Sequence, residues 1–565
     1  MKLVYGGDDV TFDQAYVNAF FGTIDAERDD GLVTSHPIYV PLSTADEIAQ
    51  YFDVIAYMKF DKQVVDRWRA TVFVQDDDAL LASHPIYFDF QSSDAINQYF
   101  DRIAYVKGSH VLRMLRNFMG ADQFQAGMRK YIKKYELSNA KMADLWATLE
   151  ETMDGKYDIP GIMNTWLTQM GYPVVHVTNT SSTTLSLSQE RFLLNPMDTS
   201  NISESQYQYK WEIPFTYKTS DIGDTNDIVW MPKDGSEVEI SANVVEDYWI
   251  VGNIGAHGFY LVNYWEENWN RLAEVLNSNH YAIDGSTRMT LINHAFMLAR
   301  ASKIDYRIPF RIASYLSLKE EEAGPWKVFL HHMSYISQML ARSDHYASVR
   351  KYILNKIGPV VESMGWSEEG NTQMRDIRIE LLNAALKYGH GSTQQHAYNF
   401  FANWRTANKS IPANFRGLAY QAGAMSGNNG DWDYLFEYAQ RTLVASDRHT
   451  VYDALATTKE PWLLQRYLNY ALNGTVLKKW DFSRAIGALG HGLLSRTISF
   501  NFMLSNWKTI EDKFGGNPWA MDKILREIVM GVNTEDEQNK LSDILGEESS
   551  EAVSTHRRRP EALTW

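Results

Sequence analysis

Three patterns of apolar and polar positions follow one another along the chain. From about residue 93 to 170 apolar residues recur every three or four positions. Val111, Leu112, Met114, Leu115 and Phe118 form one stripe, closed by Gly120. Phe124, Met128, Tyr131, Ile132 and Tyr135 form a second, and Leu145, Trp146 and Leu149 a third. Ile162, Met163, Trp166 and Met170 form a fourth, with Gly171 and Pro173 as its stop signals. That period buries one face of each segment and predicts helices. From 173 to about 264 the period becomes two. Trp211, Ile213, Phe215 and Tyr217 alternate with polar positions except for Pro214, and Leu185 and Leu187 do the same. Turn signals such as Asn195-Pro196 and Asp234-Gly235 separate these runs and predict a small antiparallel β-sandwich. From about 265 to 548 helical spacing returns. Tyr346, Val349, Ile353 and Ile357 read as a helix ended by Gly358-Pro359, and Leu463, Leu464, Tyr467, Leu468, Ala471 and Leu472 as one ended by Gly474. Short helices in succession without strands predict stacked helix pairs, an α-superhelix of the HEAT or armadillo kind.

One stretch is repeated. Ser35-His36-Pro37-Ile38-Tyr39 recurs 48 residues on as Ser83-His84-Pro85-Ile86-Tyr87. In the same register Gln50-Tyr51-Phe52-Asp53 matches Gln98-Tyr99-Phe100-Asp101, Ile55-Ala56-Tyr57 matches Ile103-Ala104-Tyr105, and Lys59 matches Lys107. Two units are too few for a solenoid array, so 31–59 and 79–107 read as a local duplication. Gly108 follows the second Lys and leads into the Val111–Phe118 stripe, whereas Phe60 follows the first. The 79–107 copy is therefore expected to be the native-like one, and deletion of 31–78 to leave thermal stability unchanged or raise it.

Composition narrows the function classes. The 565 residues are 45% hydrophobic and 22% charged, with a formal charge of −16, ordinary for a globular chain of three or four domains. The acidity argues against a nucleic-acid surface. There is no Cys, so disulfides, thiolate catalysis and Cys-based zinc modules are excluded. The opening Met1-Lys2-Leu3-Val4-Tyr5-Gly6-Gly7 has no apolar run after it, no stretch is long and apolar enough for a membrane span, and 549–565 reads as a disordered polar tail. Sequons at Asn179, Asn201, Asn408 and Asn473 match chance and do not establish secretion.

Hydrolytic chemistry needs its own spacings. A zinc hydrolase helix places two His four apart with a Glu after the first. None of the 15 His is followed by Glu and no two are four apart. Gly-x-Ser-x-Gly is also absent, and no Gly-rich phosphate loop precedes a helix. The residues themselves therefore give no metal ligand and no bound cofactor.

The layout nevertheless resembles one family. Leu81-Ala82-Ser83-His84-Pro85, Phe100-Asp101-Arg102-Ile103-Ala104-Tyr105-Val106-Lys107-Gly108 and Val111-Leu112-Arg113-Met114-Leu115 resemble the second half of the M1 aminopeptidase catalytic domain. Trp166-Leu167-Thr168-Gln169-Met170-Gly171-Tyr172-Pro173 resembles the segment closing that domain, and Gln189-Glu190-Arg191-Phe192 and Trp211-Glu212-Ile213-Pro214-Phe215 its β-sandwich. Gly258-Phe259-Tyr260-Leu261-Val262-Asn263-Tyr264 resembles the entry to the C-terminal helical domain, with Leu261 in place of the usual Arg and Trp265 in place of an Asp.

The resemblance implies a multidomain α+β chain: 1–172 a helical remnant of a thermolysin-like catalytic domain, 173–258 a β-sandwich, 259–548 an α-superhelical domain. It implies peptide partners and a zinc-dependent removal of N-terminal residues in the intact family. It assigns Tyr105 as the phenol that stabilises the oxyanion, with Tyr57 its duplicate. The family's zinc helix and its Gly-Ala-Met-Glu-Asn motif find no match. Gly423-Ala424-Met425-Ser426 lies deep in the helical region and is read as structural. The chain is thus expected to be the C-terminal portion of an M1 aminopeptidase-like protein, inactive by itself. The alternatives are an incomplete gene product, a non-catalytic homologue binding peptides through its helical domain, and an interaction protein without an inherited ligand. Family members are membrane-anchored outside the cytosol or cytosolic, and nothing in the sequence chooses between these.

Overall fold

A computed structural model of the chain describes residues 72–81, 83–87, 101–195, 204–221, 227–474, 477, 481–490, 492–515, 521, 524, 525, 527, 528, 532 and 534–545. The 31–59 copy and Tyr57 lie outside them, as do 88–100 of the second copy and the 549–565 tail. Two compact units divide between His332 and Met333. Among the described residues no helix is long and apolar enough to cross a membrane.

Within 61–332 the apolar stripes become helices. Gly108–Met119 buries Val111, Met114, Leu115 and Phe118 and stops at Gly120, whose φ of 89° lies in the left-handed region. Ala121–Lys134 and Met142–Thr152 pack together, with Gly127 close against Leu149. The fourth stripe gives Ile159–Leu167, started by Asp158, whose carboxylate accepts the Gly161 N–H. That helix stops at Leu167, before Met170; Gly171 (φ 74°) turns the chain into the first strand.

The β-region is smaller and less uniform than expected. Strands β1 (Pro173–Ser181), β2 (Thr184–Arg191), β6 (Val238–Ser241) and β8 (Leu261–Tyr264) form one sheet in the order β6-β2-β1-β8. Two-stranded pairs join β3 (Ile213–Phe215) to β5 (Val229–Met231) and β4 (Tyr217–Thr219) to β7 (Ile250–Gly252). The alternation from Trp211 to Tyr217 is split between β3 and β4, which pair with different partners. The pairing is also not purely antiparallel. Strand β8 runs parallel to β1, Val174 opposite Leu261 and Val177 opposite Tyr264. A parallel neighbour needs a long connection, and β2 to β7 supply it.

Helices Glu266–Asn279, Gly285–Arg300, Arg307–Ile312 and Ala323–Met339 follow. Gly285–Arg300 shows little one-sidedness because almost every residue in it is buried, polar ones included. Its Arg288 is held by Glu320 through two bonds of 2.8 Å, and Tyr315 donates to the same carboxylate at 2.7 Å.

Within 333–565 the helices pack on their near neighbours along the chain. Tyr346–Met364 pairs with Thr372–Tyr388, Gly391–Ala407 with Arg416–Met425, and Pro461–Asn473 with Leu493–Ser505. One boundary read from the sequence is corrected. The helix from Tyr346 runs through Gly358-Pro359 and ends at Met364, before Gly365 at φ 57°. Pro359 lacks one helix hydrogen bond. Ile353, Ile357 and Val361 nonetheless bury a continuous face on both sides of it, and that packing overrides the local breaker. Gly474 ends Pro461–Asn473 as its sequence indicated.

Candidate functional site

Tyr105 sits in a five-residue π-helical turn, Ile103–Lys107, at the mouth of the Gly108–Met119 helix. Such widened turns occur often at functional sites because they re-aim one side chain out of the regular spiral. Ile103, Val106 and Lys107 face inward, whereas Tyr105 is 43% exposed. Partial burial of the phenol raises its pKa above 10, so it stays protonated at neutral pH and can donate.

Buried charge holds the turn. Lys107 Nζ lies 2.9 Å from Asp78 Oδ2 and donates to the Gly171 carbonyl at 2.8 Å. Desolvation pulls the Lys107 pKa down, against the attraction of Asp78. Asp78 also accepts the Gly171 N–H at 2.9 Å and the Ser83 hydroxyl. Gln75 and Asp77, on the same 72–78 helix, are used too. The Gln75 carbonyl accepts from Tyr172 at 3.0 Å, and Arg102 donates to Asp77 at 3.1 Å. His84 lies 3.0 Å from Asp101.

Motifs that are distant in sequence therefore meet here. Ser83-His84, Asp101 to Lys107 and Gly171-Tyr172 all contact one another or the 72–78 helix. Further out, Gln169 donates to the Thr165 and Lys210 carbonyls, and Gln189 bonds both the N–H and the C=O of Trp211. Arg113 donates to the carbonyls of Gly255 and Ala256, fixing the helix that follows the turn.

Sequence reasoning missed Asp78 and Lys107 as the anchors. A signal was present. Asp30 precedes Asp78 by the same 48 residues that separate Lys59 from Lys107, so the duplication preserves the pair. Against the expectation that 31–78 is dispensable stand the contacts of its last residues. Besides the contacts above, Asp76 is 3.2 Å from Arg300 and 2.9 Å from His331, and Gln75 accepts from Asn293 at 2.8 Å. Deleting 31–78 would take Asp76 from Arg300 and His331 and Gln75 from Asn293.

The fit to a metal was tested on the donors present. Among the described residues no three His, Asp or Glu side chains come together as a metal set. His84 has its two nitrogens against the Pro85 carbonyl oxygen and Asp101. These residues do not fit the family's zinc. Gly423 of the Gly-Ala-Met run lies within the Arg416–Met425 helix, where a Cβ would stand 2.7 Å from the Phe401 ring.

Comparison with known proteins bears on the same segments. The profile of the Peptidase family M1 domain matches residues 60–166, and that of the ERAP1-like C-terminal domain matches 249–563, more than half of the chain. The chain belongs to the M1 aminopeptidase family. Glutamyl aminopeptidase of Rattus norvegicus is 32% identical to this M1 chain over 514 residues, which are 91% of the chain and 48% of that protein. Aminopeptidase Ey of Gallus gallus is 31% identical over 449 residues, 77% of the chain and 45% of the relative. Thyrotropin-releasing hormone-degrading ectoenzyme of Mus musculus is 29% identical over 551 residues, 94% of the chain and 47% of the relative. The M1 chain thus spans about half the length of the curated relatives it matches. The family and the C-terminal placement expected from the motifs are both met.

Proposed function

We propose that this chain is the C-terminal portion of an M1 aminopeptidase-like protein that acts on peptides, with Tyr105 at the position of the oxyanion-stabilising phenol. The observation that carries the reading is the Tyr105 turn. An outward phenol, protonated at neutral pH, stands on a π-helical turn whose other side chains are anchored inward. A donor held in place before the reaction needs no reorganisation when negative charge develops on a carbonyl oxygen. In the intact family zinc activates the attacking water, and a Glu serves as base. These 565 residues contain no His-Glu-x-x-His. The helices of 333–565 would form the α-superhelix.

By itself the chain is proposed not to hydrolyse peptides. The test incubates the purified chain with amino-acid anilides, with and without added zinc, and measures bound metal by elemental analysis. No turnover and no stoichiometric metal are expected. Turnover abolished by a chelator, with one tightly held zinc per chain, would overturn the reading.

A second reading is a non-catalytic homologue that binds peptides through the helical unit. It is favoured by large apolar side chains left exposed there, Leu443 at 82%, Val444 at 50% and Trp462 at 46%. A peptide-library binding screen on the full chain and on its Leu443→Ser variant separates the two readings.

A further inference from the structure

His84 is half of a motif the duplication kept twice, and the proposed chemistry gives it no task. Its Nδ1 lies 2.8 Å from the Pro85 carbonyl oxygen and its Nε2 3.0 Å from Asp101 Oδ2. Both partners accept only. A neutral imidazole carries one N–H and would set a lone pair against one of them, whereas the imidazolium donates to both. The second oxygen of Asp101 accepts the Ala104 N–H at 3.0 Å, and its backbone carbonyl accepts the Tyr105 N–H at 3.2 Å. Asp101 thus caps the first turn of the segment that presents Tyr105.

We propose that His84 is a positioning residue for Tyr105, acting as an imidazolium that bridges the Pro85 carbonyl to the Asp101 carboxylate and so fixes the turn. The charges around it agree. Burial of the ring opposes the charge, but Asp101, the Pro85 carbonyl and Asp78 favour it, and the balance raises the His84 pKa above 6.5. The side chains are 16% and 27% exposed, enough to shield the pair without isolating it. Asp78 reaches His84 from the 72–78 helix and is itself paired with Lys107; Arg102, beside Asp101, is paired with Asp77.

The sign follows from the raised pKa. The contribution of the bridge is complete below the ordinary value of 6.5 and is lost as pH rises through the folded value. High pH therefore loosens the cap and the turn. The catalytic role of Tyr105 rests on the reading above; the bridge does not.

The experiment uses the full chain with two readouts, NMR of Cε1-labelled histidines and hydrogen exchange of the segment 101–107, corrected at each pH for the intrinsic exchange rate. His84, assigned with the His84→Gln variant, is expected to titrate above 6.5. Protection of the turn should fall across the same pH range, by about tenfold for each pH unit that separates the folded pKa from the ordinary one. In His84→Gln that pH dependence should vanish. Asp101→Asn keeps an acceptor for the Ala104 N–H but points a donor at the ring. It should drop the His84 titration below its ordinary value and flatten the profile. A wild-type His84 titrating at or below 6.5, or an unchanged pH profile in either variant, would overturn the proposal. No readout includes turnover, so an inactive Tyr105 leaves each expected result in place.

Discussion

Lys107 Nζ meets Asp78 Oδ2 at 2.9 Å with neither side chain touching solvent. Removing one member of such a pair leaves the other charge buried alone, at a cost of about 3–5 kcal/mol. Lys107→Met should therefore lower the stability of the unit within 61–332 by that order, read from urea unfolding. Adding Asp78→Asn removes the stranded charge and keeps an oxygen for the Gly171 N–H, so part of the loss should return. A single variant as stable as the wild type would show that the pair does not anchor the turn.

Gly423 is where a motif-like run and packing give opposite instructions. A Cβ there would stand 2.7 Å from the ring of Phe401, which is fully buried and cannot swing away. Gly423→Ala should cost about 1–3 kcal/mol through overpacking, although alanine favours helix by about 1 kcal/mol. Thermal unfolding of the variant measures the balance; a gain in stability would favour the helix preference and refute the packing argument.

His294 gives a pH prediction. Its Nδ1 accepts the Val262 N–H at 3.4 Å, and burial lowers its pKa from 6.5 to about 3. The unfolded chain takes up a proton below 6.5, whereas the folded one holds the ring neutral until about 3. Stability present above 6.5 is lost as pH falls toward 3, at up to about 1.4 kcal/mol per pH unit. His294→Gln keeps an acceptor without the titration. The drop in melting temperature on acidification should be smaller in that variant than in the wild type, and an equal drop would place the acid sensitivity elsewhere.

Deleting 31–78 is a sharper test than it first looks. The 48-residue register brings Asp29 and Asp30 into the places of Asp77 and Asp78, so the Lys107 anchor is replaced in kind. Arg28, however, takes the place of Asp76 and would confront Arg300 and His331. The shortened chain should melt several degrees lower, at about 2–4 °C per kcal/mol for a unit of this size. Arg28→Asp within it should recover much of the loss. No drop would show that the Asp76 cluster contributes little.

What could be read beforehand followed the physics of each signal. The stripe Val111 to Phe118 was legible because one helix buries one face, and Gly120 marks its end by a conformation other residues avoid. Tyr105 is proposed from its motif alone, Tyr105-Val106-Lys107-Gly108. Its anchors were not legible, because a buried Lys–Asp pair leaves no local period; only the duplicated spacing of Asp30 and Lys59 carried it. The run through Pro359 was missed since a local breaker gave way to the apolar face on both sides of it. Strand β8 reads from the sequence as the entry to the helical region because its parallel partner lies almost ninety residues upstream, beyond any window of periodicity.

That last pairing bears on how the chain is made. Val174, Val175 and Val177 pair on one side with β2, which is synthesised next, and on the other with β8, which is synthesised last among the described strands. A nascent chain that has left the ribosome as far as Gly258 has every described strand except the one that covers this flank. During that interval β1 offers unpaired backbone and apolar side chains to any neighbouring nascent chain. The emergence of Leu261–Tyr264, followed by the helix whose His294 accepts from Val262, closes the interval.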